Sequence, residues 1–111
     1  MEGKIQELHQ KSEDPQLCKE IMAYVESQLD KENIQMTEAQ KLSLLSHVSA
    51  MIYRSKHQEK LQPVDKILFQ EVSDESIEMA GNVCSKLENL HEDEKYLLSI
   101  HFETAKFNNS L

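Results

Sequence analysis

Apolar residues recur every three or four positions along most of the chain, the period of helices that bury one face. Leu17, Cys18, Ile21, Met22, Val25 and Leu29 form one such stripe and predict a helix from about Pro15 to Lys31. Asp14 stands where it can cap the first-turn amides, and Pro15 follows where a missing N–H costs nothing. A second helix starts at Thr37, because Thr37 and Gln40 have the spacing of a reciprocal capping box. Leu42, Leu44, Leu45, Val48, Met51 and Ile52 give it a broad apolar face. Arg54, Lys56 and Lys60 suit the negative end of its dipole, and it fades between Ser55 and Glu59.

A shorter third helix is expected after Pro63, with Val64, Ile67, Leu68 and Val72 covering one side of the bundle. Ser73 or Asp74 caps a fourth, whose buried face holds Ile77, Ala80, Val83, Cys84 and Leu87. Gly81 lies inside it at a cost of about 1 kcal/mol against Ala, for which a close helix–helix approach would be a reason. The fifth opens at His91-Glu92-Asp93-Glu94, carboxylates that favour the positive end of a dipole, and buries Leu97, Leu98, Ile100, Phe102 and Ala105. The expectation is an all-α, compact five-helix bundle. Residues 1–14 read as an N-terminal arm or extra turn in which Ile5 and Leu8 can pack, 15–108 as one helical domain, and 109–111 as a frayed tail. No repeat, low-complexity tract or linker divides the chain.

Composition agrees. With 2 glycines and 2 prolines in 111 residues, there are too few turn formers for many short strands. The formal charge of -8 repels phosphate backbones, and no basic block exceeds two residues, so direct nucleic-acid binding is not expected. Cys18 and Cys84 form no CxxC, which points to a reduced, cytoplasmic setting. No signal-peptide run opens the sequence, and no stretch approaches the ~18 apolar residues of a membrane span. A Gly-rich phosphate loop, a nucleophile elbow and a metal-ligand spacing are all missing, so neither an enzyme, a metal site nor a cofactor is expected.

Of five histidines, two lie within strongly amphipathic helices and near the apolar face. At ~100° per residue, His47 falls at the edge of the face made by Leu44, Val48 and Met51, and His101 near the middle of that made by Leu97, Leu98 and Ala105. Arg54 follows His47 by seven positions, and Glu94 precedes His101 by seven, so each pair shares one side of its helix. Two turns rise ~10.5 Å, so contact would have to come across helices, if the second and fifth pack antiparallel. A histidine on such a face is commonly just a packed core residue. The chemical alternative is an imidazole that accepts a phosphoryl group, a carboxylate that orients the ring, and a guanidinium that pairs with phosphate oxygens.

Leu44-Leu45-Ser46-His47-Val48-Ser49-Ala50-Met51-Ile52-Tyr53-Arg54 resembles the first histidine motif of PTS regulation domains, in which L-x-x-H is followed by Arg seven residues after the histidine. Glu92-Asp93-Glu94-Lys95-Tyr96-Leu97-Leu98-Ser99-Ile100-His101-Phe102 resembles the second, in which E-D-E precedes an apolar run and a histidine. The resemblance spans about Pro15 to Asn108. It implies two antiparallel helix pairs with a short connecting helix, histidine phosphorylation by phosphocarrier or permease components of the sugar phosphotransferase system, and a homodimer with histidines near its interface. By position, His47 and His101 would be the phosphoacceptors and Arg54 and Glu94 the supporting charges.

The sequence departs from the family in two places. Ser46 stands where the family often has Asp, and Lys95-Tyr96 where it has an apolar and a small residue. The chain also has room for one domain, whereas regulators of this kind join two to a nucleic-acid-binding domain. The reading is therefore an accessory protein or partner of a full-length regulator in the control of carbohydrate-linked transcription. The alternative is a helical adaptor that has lost histidine phosphorylation. The regulatory reading requires the second and fifth helices to lie side by side, bringing the two imidazoles into one shared, partly dry pocket.

Overall fold

The computed structural model describes residues 2–110, and these begin with a helix rather than an arm or single turn. Helix α1 (Glu2–Lys11) makes nearly three turns. Its sequence has few apolar residues, so its stability comes from packing: Leu8 is buried in the core, and the Ser49 hydroxyl donates to the Leu8 carbonyl at 2.5 Å. Ser12 ends the helix by donating to the His9 carbonyl.

The next two helices follow the local signals. A side-chain oxygen of Asp14 accepts from the Leu17 amide at 3.1 Å, and α2 runs Pro15–Lys31. Thr37 and Gln40 cap each other's backbone, and α3 runs Glu38–His57. At the start of α4 (Asp74–Cys84), Ser73 is the cap, accepting from the Ser76 amide. The helix stops at Cys84, so Leu87 packs on the core from the following turn. Gly81 needs no close approach: a Cβ there would meet only Lys95 Cδ at 3.8 Å, an ordinary contact. Helix α5 runs Glu94–Lys106. Asp93 makes no side-chain cap; its carboxylate accepts from the Val64 amide at 3.1 Å and ties the preceding loop to the helix start.

That loop corrects the third expected helix. Lys66–Phe69 is a single 3-10 turn, and Ile67 and Leu68 face outward, 67% and 76% exposed. Phe69 is buried instead, with its ring 5.7 Å from that of Tyr96. Val64 and Ser73 are both bonded to residues near the two ends of α5, so the loop is stretched along that helix. One tight turn can aim only one large side chain inward. The bundle still has five α-helices among the described residues, because α1 takes the place of the expected connector.

Two antiparallel pairs emerge from contacts between opposite ends. Lys56 near the end of α3 reaches Asp14 at the start of α2, at 3.5 Å. Ser73 and Ser76 at the start of α4 donate to Glu103 near the end of α5, at 2.9 and 2.8 Å. Leu44, Val48, Met51 and Ile52 of α3 meet Leu98 and Phe102 of α5 in one core with Val25 and Val83. Asn108, at the end of the expected domain, is anchored, donating to the Gln35 carbonyl and to Gln40; of the frayed tail expected at 109–111, Leu111 lies outside the described residues.

Candidate functional site

Helix α3 presents His47 and Arg54 on one side because they are seven residues apart, and α5 presents Glu94 and His101 for the same reason. Whether the four meet depends on the relative direction of the helices. His47 contacts His101, and Arg54 contacts Glu94. Going up α3 thus means going down α5, so the helices are antiparallel and in register at both levels.

At the first level, Nδ1 of His47 lies 3.0 Å from Nε2 of His101, with ring centroids 5.0 Å apart in an edge-to-face arrangement. Both rings are partly buried. Burial, then the neighbouring His101 and the Arg54 guanidinium, push His47 down to about 4. Burial lowers His101 as well. Both imidazoles are therefore neutral near pH 7, with nitrogen lone pairs available.

At the second level, Arg54 Nε and Nη2 each donate to one oxygen of Glu94 at 2.8 Å, a two-point pair. Glu94 is 0% exposed and Arg54 21%. A carboxylate that deep in a core is tolerated because both its oxygens are satisfied. This modifies the role expected of Glu94. It bonds to neither ring; it fixes Arg54, and each imidazole is oriented by the other. Ser46, next to His47, is exposed and carries no charge to replace the carboxylate often found there.

The remaining histidines are placed elsewhere. His57 pairs with Glu13 at 2.8 Å and stacks on Tyr53, and His91 accepts from the Asp93 amide. His9 lies on α1. The cysteines offer no competing nucleophile: burial raises Cys18 to about 11, and burial with the nearby Glu94 charge raises Cys84 to about 12. Among the described residues, no group of three or more His, Cys, Asp or Glu could hold a metal ion, and no helix is long and apolar enough to cross a membrane.

Ile100, expected on the buried face of α5, is instead 44% exposed, and Phe107, just past the last residue of that helix, is 63% exposed. The two are seven residues apart and so fall on one side, with Ile100 next to His101 in sequence.

The fold that carries the site has a counterpart among solved structures. No curated protein matches the chain. A crystal structure of a PRD-containing transcription regulator from Lactobacillus casei ATCC 334 superimposes with a TM-score of 0.87 at 35% sequence identity, covering 94% of this chain and 93% of that one. The model of the PRD domain family matches residues 19–105, from inside α2 to the end of α5, and includes both histidines, Arg54 and Glu94. On these matches and the paired histidines they enclose, the chain belongs to the PRD domain family.

Proposed function

We propose that the chain is a phosphorylation-responsive regulatory module of the sugar phosphotransferase system, with His47 and His101 as its phosphoacceptors. It would act in the cytoplasm as an accessory or partner protein in the control of carbohydrate-linked transcription, taking its phosphoryl group from a phosphocarrier or permease component. The observation that carries the reading is the pair of neutral, half-buried imidazoles 3.0 Å apart, one helical level from a fixed guanidinium.

The chemistry supports a switch. A phosphoryl group adds about -1.5 to -2 charge at pH 7. Placed here it sits against a helix face whose inner side holds Val48, Met51 and Phe102, each 0% exposed. Arg54 uses Nε and Nη2 on Glu94, and its Nη1 makes no bond among the described residues, so that nitrogen is left to donate to a phosphate oxygen. A phosphate that drew the whole guanidinium away would strand a buried carboxylate and loosen the α3–α5 contact. The exposed Ile100 and Phe107 suit an apolar contact with a second copy of the chain, which would put the histidines at the edge of a homodimer interface.

Mixing the chain with phosphorylated carrier protein tests this directly. Mass spectrometry should show one or two added phosphates, reduced by His47→Ala and by His101→Ala and lost in the double variant. Unlabelled wild-type protein would refute the reading. One observation favours a second reading: neither ring has a carboxylate partner, and Ser46 stands beside His47. A helical adaptor that no longer uses phosphorylation would keep its partner when both histidines are alanine.

A further inference from the structure

The two rings meet through their inner nitrogens, Nδ1 of His47 and Nε2 of His101, at 3.0 Å. Such a contact holds one proton: one nitrogen donates and the other accepts. Two neutral imidazoles carry two N–H groups in all. One lies in the shared bond, and the other must then sit on the outer nitrogen of the accepting ring. The donating ring presents a bare lone pair on its outer nitrogen. Those outer nitrogens are Nε2 of His47 and Nδ1 of His101. Neither has a protein partner, and among the described residues no side-chain nitrogen sealed from solvent lacks one, so both reach water.

The charged group acting on the pair is Arg54 of α3, and it is held in place by Glu94 of α5. No carboxylate bonds to either ring among the described residues. The base within reach of each imidazole is the other imidazole.

We propose that His47 and His101 form one proton-coupled acceptor: the phosphoryl group goes to Nε2 of His47 or Nδ1 of His101, and loading one ring reverses the shared hydrogen bond and arms the other. This deepens the phosphoacceptor reading and rests on it. When His47 is the donating ring, its Nε2 lone pair forms the new N–P bond. The N–P bond of the phosphodonor breaks, and its electron pair returns to the donor's nitrogen, which takes a proton from water. His47 is then a phosphoimidazolium with a proton on Nδ1. That proton crosses to Nε2 of His101, and His101 releases its Nδ1 proton to solvent. His101 now donates to His47, and its own Nδ1 carries a lone pair. The same steps run with the rings exchanged when His101 loads first. The unloaded ring is a positioning residue: it fixes which nitrogen attacks and removes the proton that the attack leaves behind.

The scheme has a spectroscopic signature. With one shared proton, both rings must carry the same tautomer, either both Nδ1–H or both Nε2–H. Long-range proton–nitrogen correlation spectra of the 15N-labelled full chain near pH 7 should show matched tautomers. Phosphoramidate then serves as a small chemical phosphodonor. After loading, phosphorus–nitrogen coupling should place the phosphoryl group on an outer nitrogen, and the unloaded ring should switch tautomer. Mixed tautomers in the free protein, an unloaded ring that does not switch, a phosphoryl group on an inner nitrogen, or no loading by phosphoramidate would each overturn the proposal. If phosphoramidate loads the rings with the switch and phosphorylated carrier protein does not, the coupling stands and the phosphotransferase reading fails. If the carrier protein labels the chain with no switch, the reading stands and the coupling fails.

Discussion

Mild acid should weaken this fold through the ring pair before it acts on the carboxylates. His47 is lowered from 6.5 to about 4 by burial, by His101 and by Arg54. A base with a depressed pKa in the folded state binds fewer protons there than in the unfolded chain. Its contribution is therefore fully present above pH 6.5 and lost as the pH falls from 6.5 toward 4. At about 1.4 kcal/mol per pH unit, acidification to pH 4.5 removes roughly 2–3 kcal/mol through His47 alone. His101, lowered by burial, adds in the same direction. Two lowered carboxylates act later. Burial raises Glu103, but hydrogen bonds from Ser76, Ser73 and Lys106 outweigh it, and the Lys11 hydrogen bond and charge lower Glu7. Their support is present above the ordinary 4.5 and is lost only as the pH drops below it. Urea unfolding at pH 7 and pH 4.5, at one protein concentration, reads the effect. With a slope of about 1–3 kcal/mol per molar for a small domain, the midpoint should fall by roughly 1–3 M. His47→Gln removes the titrating ring and should abolish most of that fall. A variant whose midpoint drops as far as that of the wild type would refute the assignment to the ring pair.

Other substitutions separate the remaining contributions. Arg54→Ala leaves the fully buried Glu94 carboxylate unpaired and should cost about 3–5 kcal/mol, seen as a Tm lower by more than ~10 °C; Glu94→Gln, which removes the buried charge, should cost less. Gly81→Ala in the interior of α4 should stabilise by about 0.5–1 kcal/mol, and a lower Tm would contradict the unstrained contact with Lys95 found there. Phe69→Ala should cost about 3 kcal/mol in urea unfolding, while Leu68→Ser, at a residue 76% exposed, should stay within about 0.5 kcal/mol.

What was legible in the sequence was mostly local. Asp14 with Pro15 and Thr37 with Gln40 set helix starts through atoms three residues away, and such signals survive in any tertiary context. Helix α1 lacks that kind of signal, since its support comes from Ser49 and the core of a helix far along the chain. Ile67 and Leu68 were misplaced because an apolar run looks alike in an α-helix and in a 3-10 turn, while the anchors that decide, Asp93 and Glu103, lie about 30 residues away. The four site residues could be named from their spacing, but not the partners they choose. Seven-residue spacing put each charge on the same side as its histidine. Only the packing of α3 on α5 paired histidine with histidine and guanidinium with carboxylate, and so removed Glu94 from its expected place beside a ring.

Helix α1 falls before the first residue of the family match, yet its Leu8 is a core residue and its Leu8 carbonyl receives a hydroxyl from the helix that bears His47. A fragment trimmed to the matched span would expose the back of α3 to water and leave the Ser49 hydroxyl seeking a new acceptor. Comparative assays on such a shortened protein would then mix the effects of a lost scaffold with those of the histidines. Tests of the two histidines are best designed on a polypeptide that keeps the residues before position 19.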